Sequence, residues 1–230
     1  MKLNLMEYLR QYLVDPEIVR FGELSTAESS KLPPEWCELL SVEGEDRVST
    51  TLQCWMRFEE QFPEIIRKMS ERLDSVQLLR HKGGYLLLYS IRSPSRLLYY
   101  ASSNPRDRSL SPQLETLWRD LPSAVKEFYD FADGWYYLAS RSLGLSPSKD
   151  IFILSDESWG ILDEIEPPPV NLARTVALFT NGSFGYACVE LSEDKDPNSS
   201  GLIWWSDKAP KLNLDFWGVV DAWTSIGMDS

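Results

Sequence analysis

The chain holds one histidine, His81, and three cysteines, Cys37, Cys54 and Cys188. A lone imidazole excludes any mechanism that needs two. His81 precedes a Lys82-Gly83-Gly84 turn, the setting of a solvated side chain rather than of a base held beside a nucleophile. Ser-x-x-Lys pairs occur, Ser123 with Lys126 and Ser146 with Lys149 among them, but the SDN and KTG segments of serine–lysine acyl enzymes are absent. Asp194, Asp196 and Asn198 start like a calcium loop. The pattern then fails, with Ser199 where glycine must turn the chain and Trp205 where a bidentate glutamate must close it. No phosphate-binding loop, dinucleotide glycine motif or nucleophile elbow is present. The cysteines show no metal-ligand spacing, so buried thiols, no disulfide and no metal or other cofactor are expected. Carboxylates are too numerous for their presence alone to mark a site, and a two-carboxylate hydrolase stays open.

These residues belong to a chain of 230, with 43% hydrophobic and 25% charged residues, a globular composition. Thirty-five acids face 23 Lys and Arg, a net charge of −12. That charge argues against nucleic acid or an anionic membrane as partner and suits a basic protein. It is uneven: residues 150–230 carry 14 acids and 4 bases, net −10, against 21 and 19, net −2, before them. The start of the chain does not read as a signal peptide, since Glu7 and Arg10 break its apolar run. The longest apolar stretch, Tyr85 to Ile91, is too short to span a bilayer. A cytoplasmic protein is expected.

The elements that must position any site follow from periodicity. Asn4, with Glu7 three residues on, predicts a capped helix through Leu13, ended by Asp15-Pro16. Pro33-Pro34 opens a short helix to Leu40. An amphipathic run from Thr51 must kink or restart at Pro63. The period then falls to two. Val76–Arg80, Tyr85–Ile91 and Leu97–Ala101 read as a three-stranded meander. Leu86, Leu87 and Leu88 are apolar at successive positions, which implies cover on both faces of the sheet. Helices return at Pro112–Arg119 and Pro122–Asp133, the second with Gly134 placed for a left-handed cap. Strands are expected at Trp135–Ala139, Ile151–Leu154, Arg174–Thr180, Phe184–Leu191 and Gly201–Trp205. Asn181-Gly182 predicts a tight two-residue hairpin turn. A last helix starts near Leu214. The fold class is α+β with a mainly antiparallel sheet and flanking helices. One unit over 1–230 is expected, with N-terminal helices and meander over 1–105 and a core over 110–230. The consecutive aromatics Trp135-Tyr136-Tyr137 and Trp204-Trp205 must point to alternate faces. They leave either rings on the surface or both faces covered.

From Leu121 onward the order of features resembles the SUKH superfamily, the Smi/Knr-like proteins. Leu121-Pro122-Ser123-Ala124-Val125-Lys126-Glu127-Phe128 is similar to that family's LP-x-x-[YV]-K-x-F helix. It is followed by a glycine turn, Asp133-Gly134, where the family usually has Asn-Gly. A strand into an acidic loop (Ile151 to Glu157), a hairpin (Phe179 to Leu191), a strand that opens on glycine (Gly201–Trp205) and a terminal aromatic helix (Leu214–Trp223) complete the match. It covers roughly residues 110–230; residues 1–105 fall outside it. The resemblance implies an immunity protein that binds and neutralises a cognate bacterial toxin domain, often a nuclease, and no enzymatic activity. Other members of the superfamily are regulatory interaction proteins, which gives the alternative of a scaffold without a toxin partner.

A nuclease binds nucleic acid through a basic cleft, so an acidic surface is the complementary one. The two acidic loops of the C-terminal half are therefore the expected partner-binding site. The first holds Asp156, Glu157, Asp163, Glu164 and Glu166, with Trp159 as the expected desolvated anchor. The second holds Glu193, Asp194 and Asp196.

Overall fold

The computed structural model describes residues 4–165, 167–191 and 201–229. Asn4 caps the first helix, α1 (Leu5–Leu9), and Glu7 returns the capping bond to the Asn4 N–H. The helix stops at Leu9, and turns carry the chain to Asp15, which takes a left-handed conformation. A short strand the periodicity does not reveal, β1 (Glu17–Val19), follows. Helices α2 (Thr26–Ser29), α3 (Pro34–Ser41), α4 (Gly44–Trp55) and α5 (Pro63–Arg72) come next. Of the two outcomes open at Pro63, a kink or a restart, the chain takes the restart: Pro63 is the first residue of α5.

The meander is β2 (Leu73–His81), β3 (Gly84–Arg92) and β4 (Leu97–Ser103). Lys82 and Gly83, both at positive φ, form the two-residue turn that closes His81 on Gly84. Helices α6 (Pro112–Trp118) and α7 (Ser123–Phe131) lead into β5 (Asp133–Tyr137) and β6 (Ser142–Leu145). Gly134 is left-handed, but inside β5 and not as a helix cap; α7 ends at Ala132 in extended backbone. A Cβ on Gly134 would stand 2.5 Å from Pro147 N, so a close crossing fixes the glycine. The rest is β7 (Phe152–Ile153), β8 (Thr175–Thr180), β9 (Gly185–Glu190), β10 (Gly201–Trp205), β11 (Lys211–Leu214) and α8 (Phe216–Gly227).

All eleven strands form one open antiparallel sheet in the order β1-β2-β3-β4-β5-β6-β8-β9-β10-β11, with β7 on β8 beside β6. The fold is α+β. Six helices, α3, α4, α5, α6, α7 and α8, contribute to one core on one face of the sheet, with an aromatic hub at Trp55. Its ring centroid lies 4.9–6.5 Å from those of Phe58, Phe62, Tyr89, Phe128, Phe131 and Trp135. The alternation in β3 splits as the sequence requires. Leu87 joins this core, while Leu86 and Leu88 meet Leu9 and Leu13 from the N-terminal segment on the other face. The two ends of the chain are tied through α8. Asp221 accepts from the Glu64 and Ile65 N–H groups at 3.1 and 2.9 Å, capping α5, and Lys68 donates to Ser225 O at 2.7 Å. None of the described helices is long and apolar enough to cross a membrane.

Candidate functional site

Beyond β7, the described residues of 154–172 form no strand or α-helix; they lie as a strap across the second face of the sheet, over β8, β9 and β10. The apolar residues of this segment are widely spaced. Leu154, Trp159, Ile161 and Val170 are buried against Ala177, Cys188, Leu202 and Trp204. Between them two 3-10 turns, Leu154–Asp156 and Gly160–Asp163, lift the polar residues outward. This segment covers the far half of that face as α1 covers the near half.

Trp159 is 8% exposed. Its indole N–H donates to Leu154 O at 2.7 Å, and its ring meets Phe152, Tyr186 and Trp204 at centroid distances of 5.7–6.2 Å. The expectation that Trp159 anchors a partner is therefore corrected. An indole with its N–H satisfied and its ring in a core fastens the strap and is not presented to another molecule.

Asp156, Glu157, Asp163 and Glu164 are exposed on the strap. Asp156 accepts from the Ile153 N–H at 3.4 Å, and Glu157 lies near enough to Tyr186 for its charge to reinforce burial in raising that phenol. Eleven ion pairs occur among the described residues, and none includes these four carboxylates. Some acids elsewhere are paired, Asp120 with Arg174, Asp130 with Arg108 and Asp150 with Arg141 among them. The strap thus presents four exposed carboxylates that no described cation pairs, on a backbone pinned by Trp159. Glu166, Glu193, Asp194 and Asp196 lie outside the described residues.

The consecutive aromatics resolve toward covered faces. Trp135 and Tyr136 are both buried, on opposite sides of the sheet. Trp204 lies beneath the strap, and Trp205 is half-buried against Trp223 at 5.7 Å, with Lys208 Nζ 4.5 Å from its ring centroid.

The most exposed aromatic among the described residues was not singled out by the sequence reasoning. Phe184 is 70% exposed at the tip of the β8–β9 hairpin. That hairpin forms, but by a four-residue loop, 181–184, in place of the two-residue turn expected. Thr180 pairs with Tyr186, and the Asn181 side chain accepts from the Ser183 and Gly185 N–H groups at 2.8 and 3.0 Å. An Asn side chain that closes its own loop competes with the tight turn. The available signal was a large aromatic directly after Asn-Gly-Ser, where turn chemistry calls for a polar residue.

The residues with catalytic potential are occupied in local structure. His81 Nδ1 lies 2.7 Å from Val14 O. Lys126 Nζ donates to Arg119 O at 3.0 Å. Burial pushes all three thiols up, Cys188 the furthest. A shallow cleft of about 380 Å³ is lined by Asp107 and Asp133 among others. Both Asp133 oxygens accept from Ser148, its N–H at 2.9 Å and its hydroxyl at 3.0 Å, and Asp107 accepts from Asn104 Nδ2 at 3.1 Å. Burial raises the Asp133 carboxyl, and those two hydrogen bonds offset part of the rise. Among the described residues no group of three or more His, Cys, Asp or Glu is placed to hold a metal ion.

Comparison with protein-family models, with curated proteins and with solved structures finds no match for this chain.

Proposed function

We propose that this chain is a cytoplasmic immunity protein of the SUKH type that binds a cognate toxin domain with a basic cleft and blocks it by occlusion. One observation carries the reading: four exposed carboxylates, none in an ion pair among the described residues, held on a strap that its own buried tryptophan fastens to the sheet. Unpaired charge on a fixed backbone attracts an oppositely charged surface without ordering a loop on binding. Against a nuclease such carboxylates stand where substrate phosphates would otherwise lie. The order of elements from α7 through the β8–β9 hairpin and β10 to α8 also agrees with the family pattern read from the sequence.

The test pairs the purified chain with the toxin domain encoded beside its gene. Nanomolar or tighter binding, about −12 kcal/mol or better, and survival of cells that co-express the two support the reading. Tight binding to a neighbouring gene product without toxicity would favour the regulatory alternative instead. No binding and no protection would refute both.

A further inference from the structure

Phe184 combines three properties that rarely coincide. It is exposed, it has a φ of +61°, where a side chain strains the backbone, and its loop is tightly built. Besides the Asn181 bonds, Phe184 O accepts from the Ser206 N–H at 3.3 Å and from the Ser206 hydroxyl at 3.4 Å. A Cβ on the next residue, Gly185, would stand 2.5 Å from the Trp205 ring, so that indole lies against the backbone of the loop. Glycine would fit position 184 without strain, yet a phenylalanine is held there in water.

The surroundings extend the apolar surface on one side and supply charge on the other. Trp205 packs on the half-buried Trp223, and Ile226, 67% exposed, follows one turn further along α8. The acidic strap approaches from the opposite face: a Cβ on Gly160 would lie 4.0 Å from Ser206 O, the residue that holds Phe184. Glu157 and Asp163 flank Gly160 in sequence, and Asp207, exposed, follows Ser206.

We propose that Phe184 is the anchor of a protein interface whose partner offers an apolar pocket rimmed by basic residues. A preorganised aromatic beside half-buried tryptophans has the composition of a binding hot spot, and the unpaired acids next to it select the charge of the partner. This rests on the reading of the chain as a binder of a basic protein, and it moves the anchor from Trp159 to the hairpin tip.

The experiment places a photo-crosslinking phenylalanine analogue at position 184 in the full chain, in its native cells. A control carries the analogue at Val14, exposed at the other half of the sheet. The partner trapped at 184 and not at 14 is then purified and its affinity measured. The expected result is a protein with a basic surface whose Kd rises roughly 30-fold or more on Phe184→Ala. The melting temperature of Phe184→Ala should stay within about 2 °C of wild type, and that of Phe184→Gly should not fall, since relief of left-handed strain offsets the added chain freedom. No adduct, an adduct with lipid or with a second copy of this chain, a partner without a basic surface, or an affinity unchanged by Phe184→Ala would each overturn the proposal. So would a fall of more than about 4 °C in both variants, which would make the ring part of the fold. A basic partner that is not a toxin would sink the immunity reading and leave this one standing.

Discussion

Replacing Trp159 by alanine separates the two roles open to this residue. A tryptophan buries about 150–250 Å², worth roughly 4–6 kcal/mol at 25 cal/mol per Å² as an upper bound. Measured Trp→Ala substitutions in cores cost about 3–5 kcal/mol. With the ring only 8% exposed, a loss of about 4 kcal/mol is expected if the strap unfolds together with the sheet. For a domain of this size that lowers the melting temperature by roughly 8–16 °C. Trp159→Phe keeps most of the area but removes the donor to Leu154 O, for a loss of about 1–2 kcal/mol. Thermal and urea denaturation read both, and hydrogen exchange at the Leu162 and Glu164 amides, bonded to Trp159 O and Ile161 O, reads local release of the strap. The reasoning fails if Trp159→Ala leaves the melting temperature within about 2 °C of wild type while abolishing partner binding. The ring would then be an interface anchor, as its acidic neighbours alone had implied.

Other positions give equally definite outcomes. Gly144→Ala should cost about 3 kcal/mol or more in urea denaturation, because its Cβ would stand 2.0 Å from Trp135 O and 2.7 Å from Tyr136 Cα, both backbone atoms. Trp55→Ala should cost about 3–5 kcal/mol by emptying the aromatic hub; a loss under about 1 kcal/mol would contradict that packing. Asp133 has a folded-state pKa raised by burial, so the native state binds that proton more tightly than the unfolded chain does. Its contribution is full at low pH and is lost as pH rises through the raised value. Wild type should therefore lose stability relative to Asp133→Asn as pH rises from the ordinary carboxylate range through the raised value, and run parallel above it; a gap independent of pH would refute the assignment.

The sequence made the elements legible where one local signal dominated. Asn4 with Glu7, Pro34, Pro63 and Pro112 each start a helix where capping and proline geometry require it. The triple leucine of β3 announced a sheet covered twice. The short strands β1, β6 and β11 were missed because three or four residues carry no measurable period, and their pairing comes from neighbours distant in sequence. Gly134 was understood as a glycine that needs positive φ, but its reason is a crossing by Pro147 that no local pattern contains. At the site, the acids were legible as charge. The roles of Trp159 and Phe184 were not, since which aromatic is buried depends on the strap folding back over β9 and β10. Hydrophobicity alone ranks the two rings alike.

The most direct test of the central claim is the association rate of this chain with its proposed partner, the product of the neighbouring gene, measured at low and at physiological salt. The comparison is wild type against a variant with Asp156, Glu157, Asp163 and Glu164 all changed to lysine. Because all four are exposed and outside every ion pair among the described residues, each should change stability by no more than about 0.5 kcal/mol. Steering by the strap requires association at least ~10-fold slower at low salt, with the difference shrinking as salt screens it. Equal rates at both salt concentrations, with the variant folded, would contradict the claim that this acidic surface meets the partner.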